Sequence, residues 1–231
     1  MIKFRYLILL IFLIFPAISW GADLGAPLNH LPVQDGGRVK PFKTFAREKL
    51  QLIYGKQSYK TEDPRTGKRV KRSASEIVFT WIMVPEHWLK VPIVQIRNNG
   101  LKEALGYTNE DEKKRGYFSP EELLGSDRLS LLIQELNGKR QRQEKLDPYF
   151  QAVQTLESQL TTFQFIRMGQ ALRLFPPDPG SEKTDWIPIA KLEGEAAAKF
   201  KNISQNFVSA ISAQMQEKST DEALSRLESS V

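Results

Sequence analysis

A long amphipathic segment that begins at Asp147-Pro148 constrains the fold more than any other part of this sequence. An Asp followed by Pro is a typical helix start, because the carboxylate caps the first turn and proline fits its first position. Apolar residues then recur at three- and four-residue spacing: Phe150, Val153, Leu156, Leu160, Phe163 and Ile166. This spacing predicts one helix that runs to about Leu174 and buries a single face.

Other parts of the chain carry the same two signals, a polar cap and a helical apolar period. Further helices are predicted from Ser73 to Val84, near 101–105, from Ser119 to about Lys145 as one helix or as two with a break at Gly125, from Ala190 to about Gln216, and from Ser219 to the C-terminus. Strand signals are short, such as an edge strand within 91–96. The expected fold class is therefore mainly α, a helical domain with a short N-terminal β-hairpin or extended segment and minor strand content.

Residues 1–21 have the pattern of a secretory signal peptide. Lys3 and Arg5 supply the positive start, and residues 6–18 supply an apolar core of about 13 residues. That length is usual for a signal and short for a membrane span. Small residues at the end of the segment suit cleavage before Ala22. The sequence therefore predicts export to the periplasm.

An uncleaved N-terminal anchor is the alternative interpretation of this segment. Residues 4–20 are almost continuously apolar, so they could hold the protein at the inner membrane. In either case residues 22–231 are predicted to form a single periplasmic helical domain, because their number suits one domain with a proper core.

Charge and cysteine content exclude several classes of function. The formal net charge is +6, of which Lys3 and Arg5 contribute two, so the exported part carries a mild excess that does not indicate a nucleic-acid partner. The chain has no cysteine. It therefore forms no disulfide, attaches no haem through a Cys-x-x-Cys-His motif and performs no thiol chemistry.

Residues Leu31–Glu48, with the sequence LPVQDGGRVKPFKTFARE, predict a tight turn that leads into a helix. Gly36 and Gly37 permit the positive φ of a reversal, and the flanking β-branched residues suit a short hairpin. After Pro41 the period becomes helical, which predicts an amphipathic helix over about 42–54. Its apolar positions are Phe42, Phe45, Ala46, Leu50 and Ile53.

This turn has two interpretations. It is either a structural corner between a hairpin and a helix, or a docking surface on a rigid loop. In the second case, the candidate interaction residues are Gln34, Asp35, Gly36, Gly37 and Arg38.

Residues 57–72 form a polar and strongly basic stretch. Its cations are Lys60, Arg65, Lys68, Arg69, Lys71 and Arg72. A solvated hairpin or flexible loop explains such a stretch, and peripheral contact with anionic lipid headgroups or an acidic partner is the alternative.

The sequence contains no pattern that predicts an enzyme. It has no Gly-x-Ser-x-Gly nucleophile elbow, no His-x-x-x-His metal pair and no phosphate loop. We therefore expect no catalytic residues, no metal ligands and no bound cofactor. His30 and His87 remain the alternative, as ligands of a haem iron. Trp81, Trp88 and Trp186 could line a groove that faces haem or a partner, but core packing explains each of them equally well and is the favoured interpretation for two of the three.

Three segments, Leu31–Glu48 and more weakly Trp88–Ile96 and Leu174–Trp186, resemble the extracytoplasmic domain of System II cytochrome c biogenesis proteins of the ResB/CcsA fusion type. Together they cover about a sixth of the chain. The resemblance implies a place in the apparatus that carries haem across the membrane and joins it to apocytochrome c. The family's haem-handling parts are a Trp-rich motif and membrane-embedded histidines, and this chain has no Trp-Trp-Asp run, so those roles are not carried over.

The function expected from this resemblance is that of a non-catalytic periplasmic accessory or scaffold protein in c-type cytochrome maturation. Its partners would be the membrane haem-delivery and cytochrome c synthase subunits. The alternatives are an unrelated periplasmic helical adaptor protein and a soluble haem-binding chaperone.

Overall fold

The computed structural model of the protein describes residues 23–62, 67–177, 185–215 and 220–231. The predicted signal peptide 1–21, the centre of the basic stretch at 63–66 and the predicted cap Ser219 lie outside these residues. Within them the fold is mainly α with minor strand content, which confirms the predicted class.

The described helices and strands alternate along the chain. The helices are α1 Phe42–Tyr54, α2 Ala74–Met83, α3 Pro85–Lys90, α4 Asn99–Ala104, α5 Glu110–Lys114, α6 Pro120–Leu124, α7 Asp127–Gln141, α8 Pro148–Arg167, α9 Gly194–Met215 and α10 Thr220–Ser230. The strands are β1 Pro32–Asp35, β2 Arg38–Pro41, β3 Ser58–Glu62, β4 Arg69–Ser73, β5 Val94–Gln95, β6 Tyr117–Phe118, β7 Arg173–Phe175 and β8 Ile187–Pro188. Each described strand pairs with the strand next to it in sequence. The four antiparallel pairs are β1–β2, β3–β4, β5–β6 and β7–β8.

Helix α1 confirms its sequence prediction in both bounds and orientation. Its N-cap is Pro41, the last residue of β2, which has no backbone N–H with which to extend the strand pairing. Its C-cap is Gly55 in the left-handed conformation. The buried residues are the five apolar positions of the predicted stripe: Phe42, Phe45, Ala46, Leu50 and Ile53. The polar side of α1 is consequently left on the surface.

Helix α8 lies at the centre of the packing. Asp147 caps it by accepting a hydrogen bond from the Phe150 N–H at 2.8 Å. Its buried face contacts α1, α2, α4 and α7 as well as β5. The predicted apolar positions are all buried, and Gln159 joins them as a buried polar residue.

Helix α2 is buried on nearly all sides. Ser73 caps its start by accepting from the Glu76 N–H at 3.2 Å, as predicted. Phe79 on α2 packs edge-to-face on Phe42 of α1 and on Phe207 of α9, with ring centroids 6.1 Å and 4.8 Å apart. Edge-to-face geometry is a favoured arrangement of aromatic pairs, and these two ring contacts of Phe79 join α1, α2 and α9.

The predicted end of the long helix is wrong. α8 ends at Arg167 rather than near Leu174, because a Schellman motif closes it. The Gln170 N–H donates to the Phe165 carbonyl at 2.8 Å, and the Gly169 N–H donates to the Ile166 carbonyl at 2.9 Å. The chain then forms β7, which pairs with β8 beyond residues 178–184, and these lie outside the described part.

Smaller differences have local causes. Pro85 ends α2 as predicted, but it also starts α3, since proline fits the first position of a helix. Residues 110–114 form a short helix that the sequence does not predict, and Asn109 caps it. α7 ends at Gln141 instead of about Lys145, and the edge strand within 91–96 is reduced to β5.

Among the described residues, no helix is both long enough and apolar enough to cross a membrane.

Gly25 lies against the start of α2, and we predict that Gly25→Ala destabilises the protein. A Cβ there would lie 2.4 Å from the Glu76 backbone nitrogen and 2.6 Å from the Ser73 hydroxyl oxygen, so the backbone must shift. Overpacking of this kind costs roughly 1–3 kcal/mol. Urea unfolding followed by circular dichroism measures the loss.

Gly116→Ala is the matched control for this substitution. A Cβ at Gly116 would meet nothing within 4 Å, and its φ is not positive. We expect a change of less than about 1 kcal/mol, in the stabilising direction, because alanine narrows the unfolded ensemble. Equal effects of the two substitutions would contradict the packing of Gly25 on α2.

Candidate functional site

The candidate interaction residues lie at the tip of the β1–β2 hairpin. Asp35 faces Arg38 across the antiparallel pair, and Gly36 and Gly37 form the two-residue turn between them. The φ values of the glycines are 59° and 75°, both positive, as a type I′ turn requires. A Cβ at either glycine would meet nothing within 4 Å, so backbone conformation alone requires glycine here.

Asp35 does not point freely into solvent, because two lysines bind its carboxylate. Lys40 Nζ lies 3.1 Å from Oδ2, and Lys49 Nζ of α1 lies 3.1 Å from Oδ1. Burial raises the pKa of Asp35, but the hydrogen bonds from Lys49 and Lys40 outweigh that effect, and the net result is a lowered pKa. Lys40 also binds Glu48 of α1 at 2.7 Å. These pairs hold the hairpin against α1.

Gln34 connects the turn to a distant part of the chain. The backbone N–H of Trp186 donates to Gln34 Oε1 at 2.7 Å, and β1 lies beside β7. The structure thus brings the segment 31–48 next to the segment 174–186, although about 140 residues separate them in sequence.

A shallow cleft of about 380 Å³ begins at the turn and reaches the end of α8. Phe165 lines it with 49% of its surface exposed, and Arg173 and Asp185 form an ion pair of 3.1 Å at its edge. Val39 lies directly opposite Gln34 on the hairpin and is 56% exposed. Opposite residues of an antiparallel pair share a face, so the apolar Val39 side chain extends this surface.

Arg38 is exposed at the turn, and it makes no hydrogen bond or ion pair with the described residues. We call the Gln34–Arg38 turn together with Val39 and Phe165 the turn surface. It combines a rigid backbone, one uncompensated cation and two exposed apolar side chains.

The other residues singled out in the sequence lie elsewhere. His30 and His87 are both exposed, and His87 packs edge-to-face on Trp88 with ring centroids 5.5 Å apart. In the described part of the chain, no group of three or more His, Asp or Glu residues could hold a metal ion. Trp81 and Trp88 are core residues, whereas Trp186 is half-buried beside Gln34.

In the described residues of the basic stretch, 57–62 and 67–72, β3 and β4 pair as an antiparallel hairpin, which is one of the two predicted structures. Lys60 and Lys71 lie opposite each other on its exposed face. This hairpin does not belong to the turn surface.

The sequence analysis did not single out Phe165, because it lies among apolar residues of α8 that are buried. Its neighbours Phe163 and Ile166 are fully buried, while Phe165 projects from the opposite side. The 3.6-residue period places position 165 off the buried stripe, and this signal could have identified it.

No protein-family model matches the sequence, and no curated protein matches it at a significant level.

Asp35→Ala should lower the free energy of unfolding by roughly 1–2 kcal/mol, because it removes the acceptor of two half-buried lysines. The effect should be largest near neutral pH. Since the native pKa is lowered, this contribution is present above the unfolded value near 3.8 and is lost as the pH falls through the native pKa. Urea unfolding at pH 7 and pH 3 measures both effects.

Arg38→Ala serves as the control on the opposite side of the same turn. An exposed cation without an ion pair contributes under about 0.5 kcal/mol, so its removal should leave stability unchanged at both pH values. A loss equal to that of Asp35→Ala would show that the turn is not organised as described.

Proposed function

We propose that this protein is a non-catalytic periplasmic accessory or scaffold protein in c-type cytochrome maturation. It contacts the membrane haem-delivery and synthase subunits through the turn surface. One observation carries the proposal: two of the segments that resemble System II proteins, 31–48 and 174–186, meet at this surface through the Trp186–Gln34 hydrogen bond. Separate resemblances that converge on one surface favour a shared binding role over a chance likeness of a single turn.

The chemistry of the turn surface suits a protein partner. Exposed Phe165 and Val39 offer apolar area to the centre of an interface, and Arg38 offers a cation to a partner carboxylate. The ion pairs of Asp35 already hold the turn in place, so little conformational entropy is lost on binding.

The periplasmic location in this proposal comes from the signal pattern of residues 1–21, which either is cleaved or anchors the protein to the inner membrane. The non-catalytic role comes from the lack of cysteine and of any nucleophile pattern in the sequence. The β3–β4 hairpin offers a peripheral membrane contact, because its exposed face carries opposed lysines.

Deletion of the gene should reduce c-type cytochromes, measured by haem staining of membrane fractions, and the wild-type chain should restore them. Arg38→Glu combined with Phe165→Ser should fail to restore them, because both changes lie on the turn surface and neither touches the core. Normal cytochrome levels in the deletion strain would refute the maturation role.

Lys201→Glu combined with Leu131→Ser is the matched control. Lys201 is exposed and Leu131 is 65% exposed, and both lie away from the turn surface. The control should restore cytochromes to the wild-type level at equal protein abundance. If both double variants restore them, the maturation role stands without the turn surface.

A further inference from the structure

A second cleft lies between the β3–β4 hairpin, the polar side of α1 and the start of α2. Its volume is about 410 Å³. Three exposed cations, Lys43, Arg47 and Lys71, lie on its rim, and the half-buried Arg72 and the buried Ser75 and Glu76 also line it. The cleft shares no lining residue with the cleft at the turn.

The cations of this rim are placed where they repel one another. Lys43 and Arg47 lie one turn apart on α1, and like charges at that spacing destabilise a helix slightly. Lys71 faces Lys60 directly across the hairpin, which is also unfavourable. Lys43, Arg47 and Lys71 make no ion pair with any described residue. An anion bound between them would remove this repulsion.

Glu76 also lines this cleft and is almost completely buried, with 6% of its surface exposed. Its Oε1 lies 3.3 Å from Arg72 Nη1, and its Oε2 has no hydrogen-bond partner among the described residues. Glu76 lines the cleft, and buried polar atoms are normally paired, so its unpartnered oxygen points to a ligand group.

The protonation state of Glu76 suits an anionic ligand. Burial raises its pKa to about 7; Arg72 of β4 works against this rise, and Asp23 adds to it. A substantial fraction of the carboxyl group is therefore neutral near pH 7. A neutral carboxyl group donates a hydrogen bond, whereas an ionised one would repel an anion.

We propose that this cleft binds a phosphate group, with Lys43, Arg47 and Lys71 supplying positive charge and the Glu76 carboxyl group donating a hydrogen bond to a phosphate oxygen. Lysine and arginine are the usual phosphate ligands, and the donors here come from α1, β4 and α2. The phosphate belongs either to a soluble compound or to a phospholipid headgroup, which present the same chemistry. This site is independent of the maturation role.

Isothermal titration of the exported domain with inorganic phosphate tests the site. Binding should weaken at least tenfold in the double variant Lys43→Ala, Arg47→Ala. It should be unchanged in the control Lys191→Ala, Lys201→Ala, which removes two exposed cations on other elements. Circular dichroism shows whether each variant is folded. Equal binding by the two double variants would overturn the proposal.

Sulfate tests the role of Glu76, because sulfate keeps its charge between pH 6 and pH 8 while phosphate does not. Protonation removes a negative charge from the cleft, so the wild type should bind sulfate more tightly as the pH falls from 8 to 6. Glu76→Gln keeps the volume and a hydrogen-bond donor, and its affinity should change much less over this range. An identical pH dependence in both proteins would overturn the role of Glu76.

Vesicles distinguish the two sources of phosphate. If the ligand is a headgroup, the protein should sediment with vesicles that contain phosphatidic acid and not with phosphatidylcholine alone, and the Lys43→Ala, Arg47→Ala variant should remain in the supernatant. If the ligand is soluble, inorganic phosphate should bind without sedimentation of the protein. Either pattern supports the cleft. A protein that binds neither phosphate nor vesicles would overturn it.

Discussion

The buried amide of Gln159 in the middle of α8 is the interaction on which the arrangement of the core depends. Its Nε2 group donates to the Leu52 carbonyl at the end of α1, at 2.9 Å, and to the Gln95 carbonyl of β5, at 3.3 Å. The Leu52 carbonyl lies in the last turn of α1, and the Gln95 carbonyl lies in a strand of two residues, so neither has a regular backbone donor. The apolar stripe of α8 brings these elements together, and Gln159 fixes their positions along it, because a buried donor without acceptors would cost about 1–3 kcal/mol.

α1 carries this constraint to the surface. Its five buried residues lock it against the core, and its remaining faces serve two different regions. Lys49 reaches the β1–β2 hairpin and binds Asp35, while Lys43 and Arg47 reach the cleft beside the β3–β4 hairpin. One helix therefore positions both the turn surface and the second cleft, which lies beside the β3–β4 hairpin. Each hairpin is only a two-stranded ribbon, which is marginally stable alone, so its position depends on such contacts.

Local signals predicted the local structure well. The bounds and buried face of α1 and the capping box at Ser119 follow from spacing and cap chemistry within a few residues. The end of α8 was missed because a Schellman motif at Gly169 stops a helix whose apolar period continues. At the site, the glycines of the turn predicted its geometry. The partners of Asp35 and Gln34 could not be predicted, because Lys49 and Trp186 reach them only through tertiary packing.

Asp35 is half-buried and Glu76 is almost completely buried, and the two carboxyl groups differ in physical role. Asp35 is neutralised by two lysines, which lower its pKa, so its charge stabilises the fold. Glu76 has one longer contact to Arg72, and its raised pKa means that burial disfavours its charge. The cap of α2 does not require it, since Ser73 accepts from its backbone N–H rather than from its side chain. A buried acid whose charge is disfavoured and whose second carboxyl oxygen has no partner among the described residues is best explained by a ligand, and the cations that line the same cleft make that ligand an anion.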